Sequence, residues 1–229
     1  MFGPCGKILV VAAHPDDEVL GCGGTMSRLS SESSEVFVLI LGEGVTSRDC
    51  CRDAASREKD LRELHQAAQR ANSLLGVKEV FFETLPDNRF DSLDLLDVVK
   101  VVEGYVAELE PEWVFTHSGD DLNKDHRITF QSVLTATRPL PGHFLRGVFS
   151  FPILSSTEWN FEKAFNPNFF VDIENSLDVK TRAMSCYPSE LREWPHPRSL
   201  QTIEHHARLF GSFVGKGAAE PFRIVRLEL

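Results

Sequence analysis

Two short strings of acids and histidines carry the chemistry of this sequence: His14-Pro15-Asp16-Asp17-Glu18, and the segment from Asp121 to His126. His14 and Asp17 stand three residues apart, where an apolar run gives way to a helical pattern, so a tight turn can aim both at one point. A neutral imidazole and a carboxylate are good zinc ligands, and His126 can supply a third. Two histidines and one carboxylate leave a coordination position open, which is the pattern of a catalytic zinc rather than a structural one. Asp16 lies between these positions without being needed as a ligand. Beside a water that zinc acidifies to a pKa of about 7, it is placed as general base. Asn123 or His117 can donate a hydrogen bond to the oxyanion formed when a carbonyl is attacked. Asp125, next to His126, can orient a histidine from behind. Each string also has a plainer explanation, since acids favour the first turn of a helix and Asx turns are common in loops. Their convergence on one sheet edge weighs against that explanation for both.

The elements that must position these residues follow from hydrophobic patterning. Residues 7–13 (KILVVAA) and 36–41 (VFVLIL) read as buried strands, with a helix over 17–30 between them despite three glycines. A polar loop spans 42–52. Leu61, Leu64, Ala68, Ala71 and Leu75 recur at helical spacing, which predicts a helix over 54–75 that stops at Gly76. A strand over 79–82, a turn-rich loop over 85–91, a helix over 95–109 and a strand over 113–117 come next. Continuous apolar strands between amphipathic helices imply a parallel sheet covered on both faces. The expectation is a Rossmann-like, doubly wound, mostly parallel α/β fold forming one domain over residues 1–229. The remainder is less regular: strands are expected over 148–151, 169–173 and 222–227, and helices over 177–184 and 200–209. Ligands in such folds bind at the C-terminal strand ends. There this chain places His14 to Glu18, then Glu43 and Arg48, then Asp87 to Arg89, then His117 to His126.

Composition narrows the classes. The net charge is -10, with 34 acidic and 24 basic residues and no basic stripe, which argues against a nucleic-acid binder. An anionic group would have to be met by individual arginines. The longest strongly apolar runs, 8–13 and 36–41, are far short of the roughly 20 residues of a membrane span. The five cysteines (Cys5, Cys22, Cys50, Cys51, Cys186) are odd in number and contain no CxxC pair, so a reducing cytoplasm is expected.

Ala13 to Glu18, followed by Gly21-Cys22-Gly23-Gly24-Thr25, resembles the signature of the PIG-L/LmbE zinc-dependent N-acetylglucosaminyl deacetylases. Asp121 to His126 is similar to the family's second metal motif. Leu85-Pro86-Asp87, Tyr187-Pro188-Ser189 and Ala219-Glu220-Pro221-Phe222 match further landmarks. The resemblance implies Zn²⁺ on His14, Asp17 and His126, with Asp16 as general base and an N-acetylated sugar or glycoside as substrate. It implies a substrate-binding arginine after the second strand, Arg57 first and Arg48 second. Asp87 would hydrogen-bond sugar hydroxyls, and homo-oligomers are common among relatives. The chain departs from the pattern at Asn123, where many members carry a histidine. An amide can donate a hydrogen bond but cannot transfer a proton. Two other readings stay open: a metal-dependent hydrolase of another bond, and a non-catalytic binding protein on the same fold.

Overall fold

The computed structural model describes residues 6–48, 51–142 and 144–228; Cys5 and Cys50 lie outside them. Seven strands form one sheet: β1 (Lys7–Ala12), β2 (Glu35–Gly42), β3 (Glu79–Leu85), β4 (Trp113–His117), β5 (Gly147–Phe151), β6 (Phe169–Asp172) and β7 (Ala219–Leu227). Their order is β3-β2-β1-β4-β5-β7-β6. The first five are parallel; β7 runs antiparallel to both β5 and β6. Six helices cover the sheet: α1 (Asp17–Ser31), α2 (Glu58–Leu74), α3 (Leu95–Leu109), α4 (Lys124–Ala136), α5 (Leu177–Met184) and α6 (Leu200–Phe213).

Alternation along β1 explains the two layers. Ile8 and Val10 enter a core with α1, α2, α5 and α6, while Leu9 and Val11 enter a second core with α3 and α4. From β1 the chain winds to β2 and β3 on one side, then returns to β4 and β5 on the other. The order therefore reverses between β1 and β4, the switch point at which such sheets bind ligands. His14 follows β1, and His126 lies in the first turn of α4, the helix that follows β4.

The structure shifts several expected boundaries. β3 continues to Leu85 because it pairs with β2 as far as Gly42. β7 starts at Ala219 rather than at residue 222, since Ala219 to Phe222 pair with β6. Helix α2 starts at Glu58, not at residue 54, and the polar loop after β2 contains a 3-10 turn over Val45–Arg48.

The glycines in α1 are explained by proximity. A Cβ at Gly21 would sit 2.2 Å from the Phe151 ring, and one at Gly24 would sit 2.7 Å from Ile173. The helix also breaks at Cys22 (φ -147°), which frees backbone groups on either side of the break. Glu220 of β7 accepts from Gly24 N at 2.9 Å and from Thr25 N at 2.7 Å. Lys180 of α5 donates to Leu20 O at 2.8 Å and to Glu220. Both side chains are nearly fully buried. A buried ion pair is tolerable when further hydrogen bonds satisfy it, as these do.

Candidate active site

The turn after β1 is built around a strained residue. Asp16 has φ 107°, a left-handed conformation that costs a non-glycine residue on the order of 1–3 kcal/mol. Glu18 holds it there, because its Oε2 accepts from Asp16 N at 3.0 Å. The other oxygen of Glu18 accepts from Asn72 Nδ2 at 2.9 Å and from the Tyr187 hydroxyl at 2.5 Å. Burial, opposed by these hydrogen bonds, raises the Glu18 pKa to about 6. Glu18 is thus the anchor of the string, and Tyr187 is a fully buried part of that anchor.

His14, Asp17 and His126 converge: one ligating atom from each lies within 4.8 Å of the others. His14 Nε2 contacts Asp125 Oδ2 at 3.0 Å, which leaves Nδ1 facing Asp17 Oδ2 at 3.3 Å. The other oxygen of Asp125 accepts from Phe90 N at 3.0 Å. Asp125 therefore orients His14 rather than its chain neighbour His126. A second carboxylate serves His126: Asp121 Oδ1 lies 3.2 Å from its Nδ1 and is itself held by Ser156 and Thr157 hydroxyls. This role of Asp121 escaped the sequence reading, because Ser156 and Thr157 come from a distant loop.

The donor set fits a zinc ion on the structure's own terms. Asp17 Oδ1 and His126 Nε2 are buried polar atoms without a hydrogen-bond partner among the described residues. His126 Nε2 lies 3.3 Å from Asp17 Oδ2 without hydrogen-bond alignment. Buried orphans of this kind call for an explanation such as an ion, and a nitrogen-and-oxygen set suits zinc. Electrostatics agree. Burial works against a charged His126, but the Asp17 charge and Asp121 outweigh it and lift its pKa to about 9. Burial likewise opposes a charged His14, yet Asp125, Asp17 and Asp87 raise it well above the ordinary range. Burial would raise Asp17, but the neighbouring His126, His117 and His14 rings hold it well below the usual carboxylate range. The pocket is thus built to stabilise positive charge.

A polar cleft of about 130 Å³ opens at this point, and its lining includes His14, Asp16, Ser47, Asp87, Asn88 and Asn123 together with Arg48, Glu190 and Arg198. A larger cavity of about 440 Å³ lies beside α3 and α4. It contains none of the converging groups, so chemistry and not size assigns the site.

Asp16 is buried at 2% exposure, and its Oδ2 accepts from Arg198 Nη1 at 2.7 Å. Burial raises its pKa well above the usual carboxylate range; Arg198 opposes this, while Asp17, Glu190 and Glu18 add to it. Arg198 Nε also donates to Ser155 Oγ at 2.7 Å. The sequence reading missed Arg198, which sits in the irregular segment before α6. One signal was present: an arginine directly before the N-cap Ser199 faces the positive end of a helix, an unfavourable place for a cation without an anionic partner.

The other expected residues divide. Asp87 is buried beside His14 (Oδ1 to Nε2, 3.4 Å) and accepts from Ser47 N at 2.9 Å. Asn123 caps α4, accepting from Asp125 N at 2.8 Å, and donates through Nδ2 to Asn88 Oδ1 at 2.9 Å. Arg48 lines the cleft and is paired with Glu190 at 2.5 Å. Arg57 is not brought to the cleft lining: it caps α2 and pairs with Asp60 at 2.9 Å. His117 also falls outside the lining. It is fully buried, its Nε2 accepts from Ala13 N at 2.8 Å, and its ring stacks on His126 at 4.0 Å. Burial and the His126 charge push its pKa down to about 3, which disfavours a charged imidazole. It backs the site instead of reaching into it.

Residues 9–137 match the family described as PIG-L, GlcNAc-PI de-N-acetylase. The chain belongs to the PIG-L family. It is 27% identical to a diacetylchitobiose deacetylase of Thermococcus kodakarensis, over 98% of this chain and 85% of that protein. Among solved structures, the N,N'-diacetylchitobiose deacetylase of Pyrococcus horikoshii superposes with a TM-score of 0.77 at 21% identity, covering 96% of this chain and 84% of that one. The 4-carboxy-2-hydroxymuconate hydratase GalB of Pseudomonas putida KT2440 superposes with a TM-score of 0.75 at 21% identity, covering 98% of each. A deacetylase and a hydratase share this fold, so activity has to be argued from the site.

Proposed function

We propose that this PIG-L family chain is a zinc-dependent hydrolase that removes the N-acetyl group from an N-acetylated sugar or glycoside. The observation that carries this reading is the convergence of His14, Asp17 and His126 at a polar cleft that His14 and Asp16 line. The relationship to a diacetylchitobiose deacetylase over nearly the whole chain supports it. Zinc, when bound, would acidify water and polarise the acetyl carbonyl.

The chain's own residues supply the rest. Arg198 engages Oδ2 of Asp16, so Oδ1 is the oxygen that takes a proton from the attacking water. The water oxygen bonds to the acetyl carbon and the C–N bond breaks. The proton held by Asp16 passes to the leaving nitrogen, giving acetate and a primary amine. Asn123 spends one amide N–H on Asn88 and keeps a second for the oxyanion, an electrostatic role that needs no proton transfer. Asp87 and Asn88 line the same cleft and suit sugar hydroxyls.

Among the described residues no helix is long and apolar enough to cross a membrane. Cys22, Cys51 and Cys186 are free thiols, which suits our reading of a cytoplasmic enzyme. Self-association, implied by the family resemblance, is read by sedimentation. The test of the activity is release of free acetate and new primary amine from a panel of N-acetylglucosamine conjugates by zinc-loaded protein. Cleavage of a different bond, with neither product formed, would overturn the reading.

A further inference from the structure

Part of the cleft lining carries an unusual charge arrangement. Arg48 and Arg198 are the two Lys or Arg side chains among the described residues that line the cleft. Each already faces a carboxylate. Arg48 Nη2 donates to Glu190 Oε1 at 2.5 Å, and Arg198 Nη1 donates to Asp16 Oδ2 at 2.7 Å. Glu190 faces both, because its Oε2 also lies 3.7 Å from Arg198 Nη1. Ser189 Oγ donates to Glu190 Oε1 at 3.0 Å and fixes the carboxylate between the arginines. The Glu190 side chain is only 12% exposed, so solvent screens this charge weakly.

A phosphate or carboxylate is recognised by guanidinium groups whose donors are available for bidentate contact. Here Glu190 occupies that place, and its own charge repels a second anion. The overall charge of -10 acts in the same direction. An ion on His14, Asp17 and His126 would add positive charge deeper in the cleft. Asp17, Asp87 and Asp125 already lie within 3.4 Å of the His14 ring nitrogens to offset it.

We propose that Glu190 is a specificity-determining residue that restricts the cleft to uncharged N-acetylated sugars and rejects those bearing a phosphate or carboxylate next to the reacting ring. The substrate class rests on the de-N-acetylase reading; the charge filter rests on Arg48, Glu190 and Arg198. Glu190→Gln keeps the side-chain size, removes the charge and releases the Arg48 guanidinium from its ion pair, while Arg198 stays on Asp16. In R48Q/E190Q that released group is removed again.

The experiment is calorimetric binding of N-acetylglucosamine 1-phosphate and of neutral N,N'-diacetylchitobiose to zinc-loaded wild type, E190Q, R48Q and R48Q/E190Q, with kcat/KM in parallel. Wild type should favour the neutral sugar, and E190Q should shift the ratio toward the sugar phosphate by about tenfold or more. R48Q/E190Q should lose most of that shift. R48Q alone should disfavour the sugar phosphate further, which keeps the test decisive if E190Q does not fold. A wild type that binds the sugar phosphate as tightly as the neutral sugar overturns the proposal, as does an unchanged ratio in E190Q. If no sugar releases acetate, the de-N-acetylase reading fails, while the binding ratios still decide the charge filter.

Discussion

Two groups of residues at the cleft have different origins. His14, Asp16, Asp17, Asp87, Asn123 and His126 come from the loops at the C-terminal ends of parallel strands, within the stretch that matches the PIG-L family. The second group joins Arg48 to Glu190 and Arg198, and the last two lie beyond that stretch, in the irregular segment between α5 and α6. The first group is over-determined: Asp125, Asp121, Glu18 and His117 brace Asp16 and the candidate ligand residues, and all four are buried. The second is held by ion pairs, and Arg48 is 44% exposed. Rigid strand ends carry reactive groups, and variable loops adjust what those groups meet.

Breaking the first group should have the largest effect. Asp17→Ala removes one of the three candidate ligands and leaves His126 facing an empty position. We expect loss of bound zinc, read by elemental analysis, and loss of turnover worth several kcal/mol of transition-state stabilisation. Retention of stoichiometric zinc by this variant would move the metal site elsewhere. Asp16→Asn separates chemistry from metal binding. It keeps the hydrogen-bonding shape toward Arg198 but cannot take a proton, so kcat should fall by about 10²–10⁴-fold while zinc content stays unchanged. If turnover persists in a metal-replete Asp16→Asn protein, the general base is another group.

Next in size is a test of whether the two halves of the chain are independent. Glu220 and Lys180 lie beyond the family-matched stretch, yet they cap the break in α1, the helix that opens with Asp17. Glu220→Gln leaves a buried Lys180 without its anionic partner and should destabilise the fold by about 3–5 kcal/mol in urea denaturation. Lys180→Met combined with Glu220→Leu should recover only part of that, because Gly24 and Thr25 still lose their acceptor. Full recovery would mean that the pair does nothing for the helix break.

The same division explains what could be read from sequence. The parallel half was legible because buried strands and amphipathic helices leave clear periodicities, and the switch point then fixes which strand ends meet. The ligand cluster followed from residue types at those ends. Arg198 was not legible, because its partner Asp16 lies 182 residues away and no periodicity places the segment before α6. Asp121 was read as part of a motif without its role, since the hydroxyls that orient it belong to a 3-10 turn over Thr157–Trp159 and the residue before it. Arg57 and His117 were placed by proximity in sequence to strand ends. Side-chain direction sets them elsewhere: Arg57 reaches along its own helix to Asp60, and His117 turns its ring into the core.

The smallest expected effect separates the two arginines that sequence proximity could not rank. Arg48 lines the cleft and reaches Glu190, whereas Arg57 holds Asp60 at the start of α2, with both partners about a third or more exposed. Exposed pairs of the second kind contribute roughly 0.2–1 kcal/mol to stability. Arg57→Ala should therefore lower the unfolding midpoint slightly and leave KM and kcat as they are. Arg48→Ala should raise KM a fewfold with little change in kcat, because it alters the cleft lining and unpairs Glu190 without touching Asp16 or the candidate ligands. A KM change confined to Arg57→Ala would reverse the assignment. It would mean that the polar loop rearranges when substrate binds, carrying the start of α2 over the cleft.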